Sequence, residues 1–349
     1  MSWKFFGSCV MALCAPIAMS PAAAQTPPPA ASASQPGEPA AHSAAEWLLR
    51  MDEASRHSAY TGTFVVSSPS GHLSSARIWH VCQGDQQMER VEALTGTPRT
   101  TFRHNDQVVT FFPKTRIVKT ERREWLGLFP ALLKSSDSAI DQFYTAQRVG
   151  SGRVAGFQAR VVQLNPKDHL RFGYRIWSEK KTGLVVKLET LGTDGKVLEQ
   201  AAFSDLKIDA PVDMGALARM MDDTAGYKVV TTALVKTTAA AEGWTLKSPV
   251  PGFKPMNCYR RRIAAGGVAD GATDNALQWV FSDGLASVSV FVETYDPSRH
   301  AQETHLTMGA TQMLTRRLST PAGDWWVTVV GEVPLRTLEA FAQGLERTK

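Results

Sequence analysis

The chain has little cysteine, histidine or aromatic residue to build chemistry from, and few of the motifs that usually carry it. Of 349 residues only four are cysteine and eight are histidine, and aromatic residues make up 9%. No G-x-S-x-G elbow occurs, so the usual strand-to-helix placement of a nucleophilic serine is missing. Gly150, Gly152 and Gly156 are spaced G-x-G-x-x-x-G, one residue off the dinucleotide fingerprint. They precede the strand-like FQARVVQL instead of a phosphate-cradling helix. Gly192 to Lys196 ends in Gly-Lys without the P-loop spacing. His300 and His305 stand five apart, where a zinc pair on a helix needs four. The sequence therefore predicts no catalytic residues, no metal and no cofactor, and an uncharacterised hydrolase ranks last among the readings. Charge of one sign is also lacking. A net charge of +5 spread over mixed acids and bases is too thin for a nucleic-acid footprint.

The N-terminal apolar run, FFGSCVMALCAPI, is too short for a comfortable membrane span. It follows one lysine and leads to PAAAQ, whose Ala22 and Ala24 suit a signal peptidase. Residues 1–24 read as a signal peptide cleaved after Ala24. An uncleaved anchor is the rival, opposed by Pro16 and Pro21. A lipoprotein is disfavoured because Cys14 follows Met-Ala-Leu without a small residue just before it. Export implies an oxidising compartment. Cys9 and Cys14 leave with the leader, so Cys82 and Cys258 remain. A disulfide between them would tie the two halves of the chain together. Sequence leaves that open beside two separate thiols, since it cannot show their approach.

Residues 25–43 are Pro, Ala, Ser and Gln with almost no large apolar side chain, and read as a flexible tether. Ala44 to His57 places Trp47, Leu48 and Met51 at helical spacing. Short β-branched and aromatic segments follow: YTGTFVVSS, ARIWHVC, DQVVTFF, TRIVKT, FQARVVQL, LRFGYRIW, GLVVKLETL and KVLEQAAF. Turn signals separate them, Asp194-Gly195 being a strong hairpin marker. They predict a large antiparallel sheet over 44–210. EWLGLFPALLKSS interrupts it with Trp125, Leu128, Phe129, Leu132 and Leu133 on one side of a helix, either core or a lid over a cavity.

Residues 211–241 show no clear period and read as a connection. A second domain over 242–349 has a helix expected around His305 to Arg317, the strand WWVTVVGEV, and a closing helix. Pro334 opens that last helix, with Leu335, Leu338, Phe341, Ala342 and Leu345 as its apolar stripe. FSDGLASVSVFVET is a turn at Asp283-Gly284 and then a strand. Ala286, Val288, Val290 and Val292 share one face, and Ser287, Ser289, Phe291 and Glu293 the other. In HLRFGYRIW the same alternation puts His169, Arg171 and Arg175 opposite Leu170, Phe172, Tyr174 and Ile176. A row of cations suits phosphate or carboxylate groups, and the bland alternative is a solvated strand face.

Several blocks in one order resemble the MucB/RseB family of envelope-stress regulators, from about Trp47 to Phe341. They are YTGTFVV with ARIWH, GTPRTTFRHNDQVV, FPALL, and RVAGFQARVVQLNPKDHLRFGYRIWSEKKTGLVVKLETL. LKSPVPGF, FSDGLASVSVFVE and VTVVGEVP continue the series. The region from Cys258 to Asn275 is looser than the family pattern. The resemblance implies an α+β protein: a half-open antiparallel β-barrel with helices, similar to the lipoprotein carriers LolA and LolB, then a smaller α/β domain with a bent sheet. It implies a periplasmic protein that binds the periplasmic part of a membrane-spanning anti-sigma factor and shields it from proteolysis. Lipopolysaccharide or mislocalised lipoprotein would loosen that grip. A lipid or lipoprotein carrier is the alternative, and self-pairing as a homodimer stays open. On this reading Arg160, His169, Arg171 and Arg175 would meet anionic groups, and Phe129, Leu132, Phe172 and Tyr174 acyl chains. Ser287, Ser289, Phe291 and Glu293 would be the partner-facing row.

Overall fold

A computed structural model describes residues 43–122, 139–231, 234–264, 273–300 and 302–348. The expected signal peptide, nearly all of the tether, and Phe129 and Leu132 with their helix lie outside the described residues. The chain enters through helix α1 (Ala44–His57). Its start is a capping box: the Ser43 hydroxyl accepts from the Glu46 amide at 3.2 Å, and the Glu46 carboxylate accepts from the Ser43 amide at 3.0 Å. Of the stripe its spacing predicts, the helix buries Leu48 and Met51, together with Ala44, and leaves Trp47 half-buried.

A meander follows: β1 (Tyr60–Ser67), β2 (Leu73–Gln83), β3 (Gln86–Ala93), β4 (Thr100–His104), β5 (Gln107–Phe112) and β6 (Ile117–Arg122). A one-turn helix, α2 (Ile140–Phe143), leads into a second meander. Its strands are β7 (Tyr144–Val154), β8 (Phe157–Pro166), β9 (Gly173–Glu179), β10 (Val185–Leu191) and β11 (Val197–Ile208). Pairing of β1 with β11 fuses the two meanders. Helix α3 (Met214–Asp222) then precedes β12 (Lys228–Thr231), which adds to β6 in parallel. The result is one 12-stranded sheet in the order β12-β6-β5-β4-β3-β2-β1-β11-β10-β9-β8-β7. It is open, with β12 and β7 as its edges, and forms the half-open barrel. Bulges at Thr63/Phe64, Arg148/Gly150 and Thr190/Leu191 interrupt its ladders, the device by which sheets bend and coil.

The sheet is lined by three apolar clusters. Leu48 and Met51 of α1 meet Val162, Leu164, Tyr174 and Ile176. Leu217 and Met221 of α3 cover Val81, Met88, Phe102, Val109 and Phe111. Tyr60, Ile78, Leu184, Val186 and Phe203 form the third. Each fully buried side chain of this kind contributes roughly 1.5–3 kcal/mol.

The second sheet is smaller. Its strands are β13 (Leu234–Lys236), β15 (Lys254–Ala264), β16 (Thr273–Ser282), β17 (Ser287–Thr294), β18 (Thr304–Met308), β19 (Thr311–Thr320) and β20 (Gly323–Gly331). They lie in the order β13-β15-β16-β17-β20-β19-β18. A short pair, β14 (Trp244–Leu246) with β21 (Leu345–Arg347), flanks helix α4 (Leu335–Gly344). The closing helix matches its sequence signal, setting Leu338, Phe341 and Ala342 into a cluster with Val288, Val290, Val292, Val327 and Val329.

Two expectations change. The helix expected around His305 to Arg317 is the hairpin β18–β19, turning at Gly309 with φ +61°. Thr304, Thr307, Thr311 and Thr315 favour strand, and a left-handed glycine in the middle breaks a helix. The segment 211–241, read without a period, carries α3, β12 and β13. Helix α3 packs on the first sheet, and β12 and β13 each add a strand to the edge of a different sheet.

Candidate functional site

A buried polar cluster lies where the two sheets meet, on residues the sequence marks only as a turn and a strand. Between β8 and β9, residues 167–172 are a turn and loop, and regular strand begins at Gly173. Asp168 shapes this turn, its carboxylate accepting from the Leu170 amide at 2.9 Å. Arg171 then points into the second domain and is fully buried. Its Nε donates to Asp283 Oδ2 at 2.7 Å, its Nη2 donates to the Pro251 carbonyl at 2.6 Å, and its Nη1 donates to Asp168. The guanidinium carbon sits 4.2 Å from the ring centroid of Phe143 and 4.8 Å from that of Phe253. These are cation–π contacts with one ring from each domain.

Asp283 is fully buried too, and saturated. One oxygen accepts from the Leu285 and Ala286 amides at 2.8 and 2.7 Å, forming the turn before β17. The other accepts from Arg171 and from the Tyr144 hydroxyl at 3.3 Å. A buried charge survives only when paired and hydrogen-bonded in this way. Gly252 makes the approach possible. It sits at φ +81°, and a Cβ there would run into the Arg171 guanidinium and lie 2.6 Å from the Phe143 ring. Around the ion pair, the Thr337 hydroxyl of α4 donates to the Leu170 carbonyl at 2.7 Å. Leu170 packs into the second domain's core, and Leu285 reaches back to the cluster under α1. Burial pushes the Tyr144 and Tyr174 phenols well above their usual range, and nearby carboxylates add to it.

A second contact joins β11 to the tip of the β18–β19 hairpin. Glu199 accepts from the Ala310 amide at 3.4 Å. Burial raises the Glu199 carboxyl, against the lowering effect of that amide and of His72. Glu332 follows β20; its side chain still reaches solvent, but protein crowds it on most sides. Desolvation, and then the charge of Glu199, push its carboxyl to about 7.

The row of cations expected on one strand face does not exist. His169 is exposed on the loop, Arg171 is buried between the domains, and only Arg175 stands on β9. The alternation fails because it starts at Gly173, two residues after Arg171. Arg175 is already engaged, donating to Glu189 at 3.0 Å and to Gln163 at 3.2 Å. Lys187 shares Glu189 at 2.8 Å and lies 4.5 Å over the Trp177 ring. Arg160, half-buried on β8, has no ion pair with a described residue. Phe172 and Tyr174 are buried in the protein's own core.

On β17, Val288, Val290 and Val292 are buried as the alternation requires, and Ser287, Ser289 and Phe291 are half-buried on the other face. Glu293 is already occupied, pairing with Arg299 at 3.8 Å and His300 at 3.3 Å. His300 stacks on Trp326 with centroids 4.9 Å apart. The end of that row is thus covered by the chain's own 295–300 segment. Cys82 and Cys258 are both free thiols, one on β2 of the first sheet and the other on β15 of the second. Sequence reasoning passes over Asp283 and Gly252. Asp-Gly between apolar runs and Pro-Gly before a strand signal turns, and neither signals a long-range partner.

Fold and interface together define a two-domain sheet protein, a half-open β-barrel plus a smaller sheet domain, with a buried ion pair joining the two. The description of the MucB/RseB N-terminal domain matches residues 43–221, and that of the C-terminal domain residues 238–346. Sigma factor AlgU regulatory protein MucB of Pseudomonas aeruginosa is 30% identical over 306 residues, covering 86% of this chain and 89% of that one. Sigma-E factor regulatory protein RseB of Escherichia coli is 23% identical over 312 residues, covering 86% and 89%. A crystal structure of MucB in complex with MucA(peri) superimposes with a TM-score of 0.66 at 28% identity, over 88% of this chain and 99% of that one. The chain belongs to the MucB/RseB family of sigma factor regulatory proteins.

Proposed function

We propose that this chain is a periplasmic regulator that binds the periplasmic region of a membrane-spanning anti-sigma factor. Binding shields that region from the protease that begins its destruction, and so restrains the envelope-stress sigma factor. The observation that carries the reading is the match, across both domains, to MucB in its complex with MucA(peri). That match spans the half-barrel, the interface and the second sheet. Among the described residues no helix is long and apolar enough to cross a membrane. The half-buried row Ser287, Ser289 and Phe291 is a candidate for the partner.

Release by lipopolysaccharide, or by the acyl chains of a mislocalised lipoprotein, completes the cycle. An amphiphile shifts the equilibrium only if it prefers the partner-free arrangement. Arg160 and His169 have no ion pair with described residues and are the side chains open to its anionic groups. Arg175 would first have to give up Glu189.

The test is a protection assay with the purified periplasmic fragment of the anti-sigma factor from the same genome. The chain should slow its cleavage by the initiating protease, and added lipopolysaccharide should restore cleavage. Arg160→Ala with His169→Ala should weaken the restoration and leave the protection intact. Cleavage at the same rate with and without the chain would sink the regulatory reading.

A further inference from the structure

We propose that Arg171 and Asp283 form an interdomain latch, a buried ion pair that fixes one docked arrangement of two domains able to separate as folded bodies. The polar contacts at the centre of the interface converge on these two side chains. Arg171 reaches Asp283 and the Pro251 carbonyl across the boundary, and Tyr144, also from the first domain, reaches the same Asp283 oxygen. The Thr337–Leu170 bond and the Ala310–Glu199 contact also cross the boundary. Among the described residues, apolar contact across the centre runs through Leu170 into one core, Leu285 into the other, and the Phe143 ring against Gly252.

Each domain keeps its own core when these contacts open. The second-domain cluster around Phe281, Phe341 and the valines of β17 and β20 is separate from the three clusters of the first sheet. The pair also has a stable open state. Asp283 would keep the Leu285 and Ala286 amides on one oxygen, so its turn would survive, and water would replace Arg171 and Tyr144 on the other. Arg171 would keep Asp168, three residues away in its own loop. Both charges are therefore satisfied when docked and when separated, whereas docking with either one missing strands its partner in a dry site. A buried ion pair adds little net stability against an apolar substitute, but breaking it by deleting one partner is costly. That asymmetry gives a two-position element: a single docked geometry, and no half-docked one. Opening also turns Arg171 into an exposed cation beside exposed Lys167 and His169.

Hydrogen exchange by mass spectrometry on the full chain tests the latch without any partner, so its outcome stands apart from the regulatory reading. Arg171→Met and Asp283→Asn should each speed exchange in peptides covering 167–172, 283–286 and 309–311 by at least about tenfold. Protection of the inner strands β8–β10, β16, β17 and β20 should be unchanged, and small-angle scattering should show a larger radius of gyration. Gly252→Ala, which removes no charge but drives a Cβ into the guanidinium, should do the same. Unchanged exchange in all three variants would overturn the latch. So would loss of protection throughout either sheet, which would make the pair a folding determinant of one domain instead of a link between two.

Discussion

At the scale of single residues, the chemistry of this chain lies in one arginine that reads in sequence as an exposed ligand-binder. Arg171 is buried because its loop turns it away from the strand face that alternation assigns to it, and three acceptors and two rings meet it there. Its neighbour Tyr144 contributes a single hydroxyl to Asp283. Tyr144→Phe removes that donor while Arg171 still occupies the same oxygen, so it should cost only about 1 kcal/mol in thermal or denaturant unfolding. A second residue-scale expectation concerns the thiols. Cys258 is buried and its thiol is pushed up to about 11, chiefly by desolvation and then by Glu242. Cys82 is half-buried, and burial raises its thiol as well. Thiolate is the reactive form. A chromogenic disulfide reagent should thus titrate Cys82 first in the native protein and reach Cys258 only in denaturant. A mature protein with no titratable thiol in denaturant would mean that the two cysteines pair after all.

At the scale of elements, much of the chain was legible because strong local signals agreed with burial. Helix α1 appears where its apolar spacing places it, α4 where Pro334 and its apolar spacing do, and β10–β11 turn at Asp194-Gly195. What escaped had weak or misleading local chemistry. Strand β3 is QQMERVEA, helix-like in composition and held as strand by β2 and β4 on either side. Strand β7 is an exposed, glycine-containing edge with no apolar alternation to reveal it. The β18–β19 hairpin, expected as a helix, is two strands around the left-handed Gly309. The site escaped for a different reason. Its two halves lie 112 residues apart, and no local pattern encodes that pairing.

The contact of the β18–β19 hairpin with β11 carries its own pH dependence. A carboxyl whose folded-state pKa is raised binds protons more readily when folded. The contribution of Glu332 is therefore fully present below its ordinary value of 4.5 and lost as pH rises through about 7. Glu199 is raised as well and acts in the same direction. Melting temperature should rise as pH is lowered from about 8 to about 5.5, and Glu332→Gln should flatten that slope. A wild-type protein equally stable across the window would contradict the crowding of these two carboxylates.

At the scale of the whole molecule, the half-barrel and the second sheet are two cores joined twice. Covalently they are joined by a segment that extends both sheets, β12 on β6 and β13 on β15. Non-covalently they are joined by the interface centred on Arg171 and Asp283. The separate cores permit movement between the domains, and the buried pair selects one arrangement. A regulator that holds and then releases a partner needs such a choice of states, since a ligand can act only by binding them unequally. The proposed function requires this chain to bind the periplasmic region of an anti-sigma factor. Isothermal titration of that purified fragment into the full mature chain tests it most directly. Saturable binding with a Kd of about 1 μM or tighter, equivalent to about 8 kcal/mol, is expected. No saturable heat with the fragment at about 100 μM, from a chain that melts cooperatively, would contradict it.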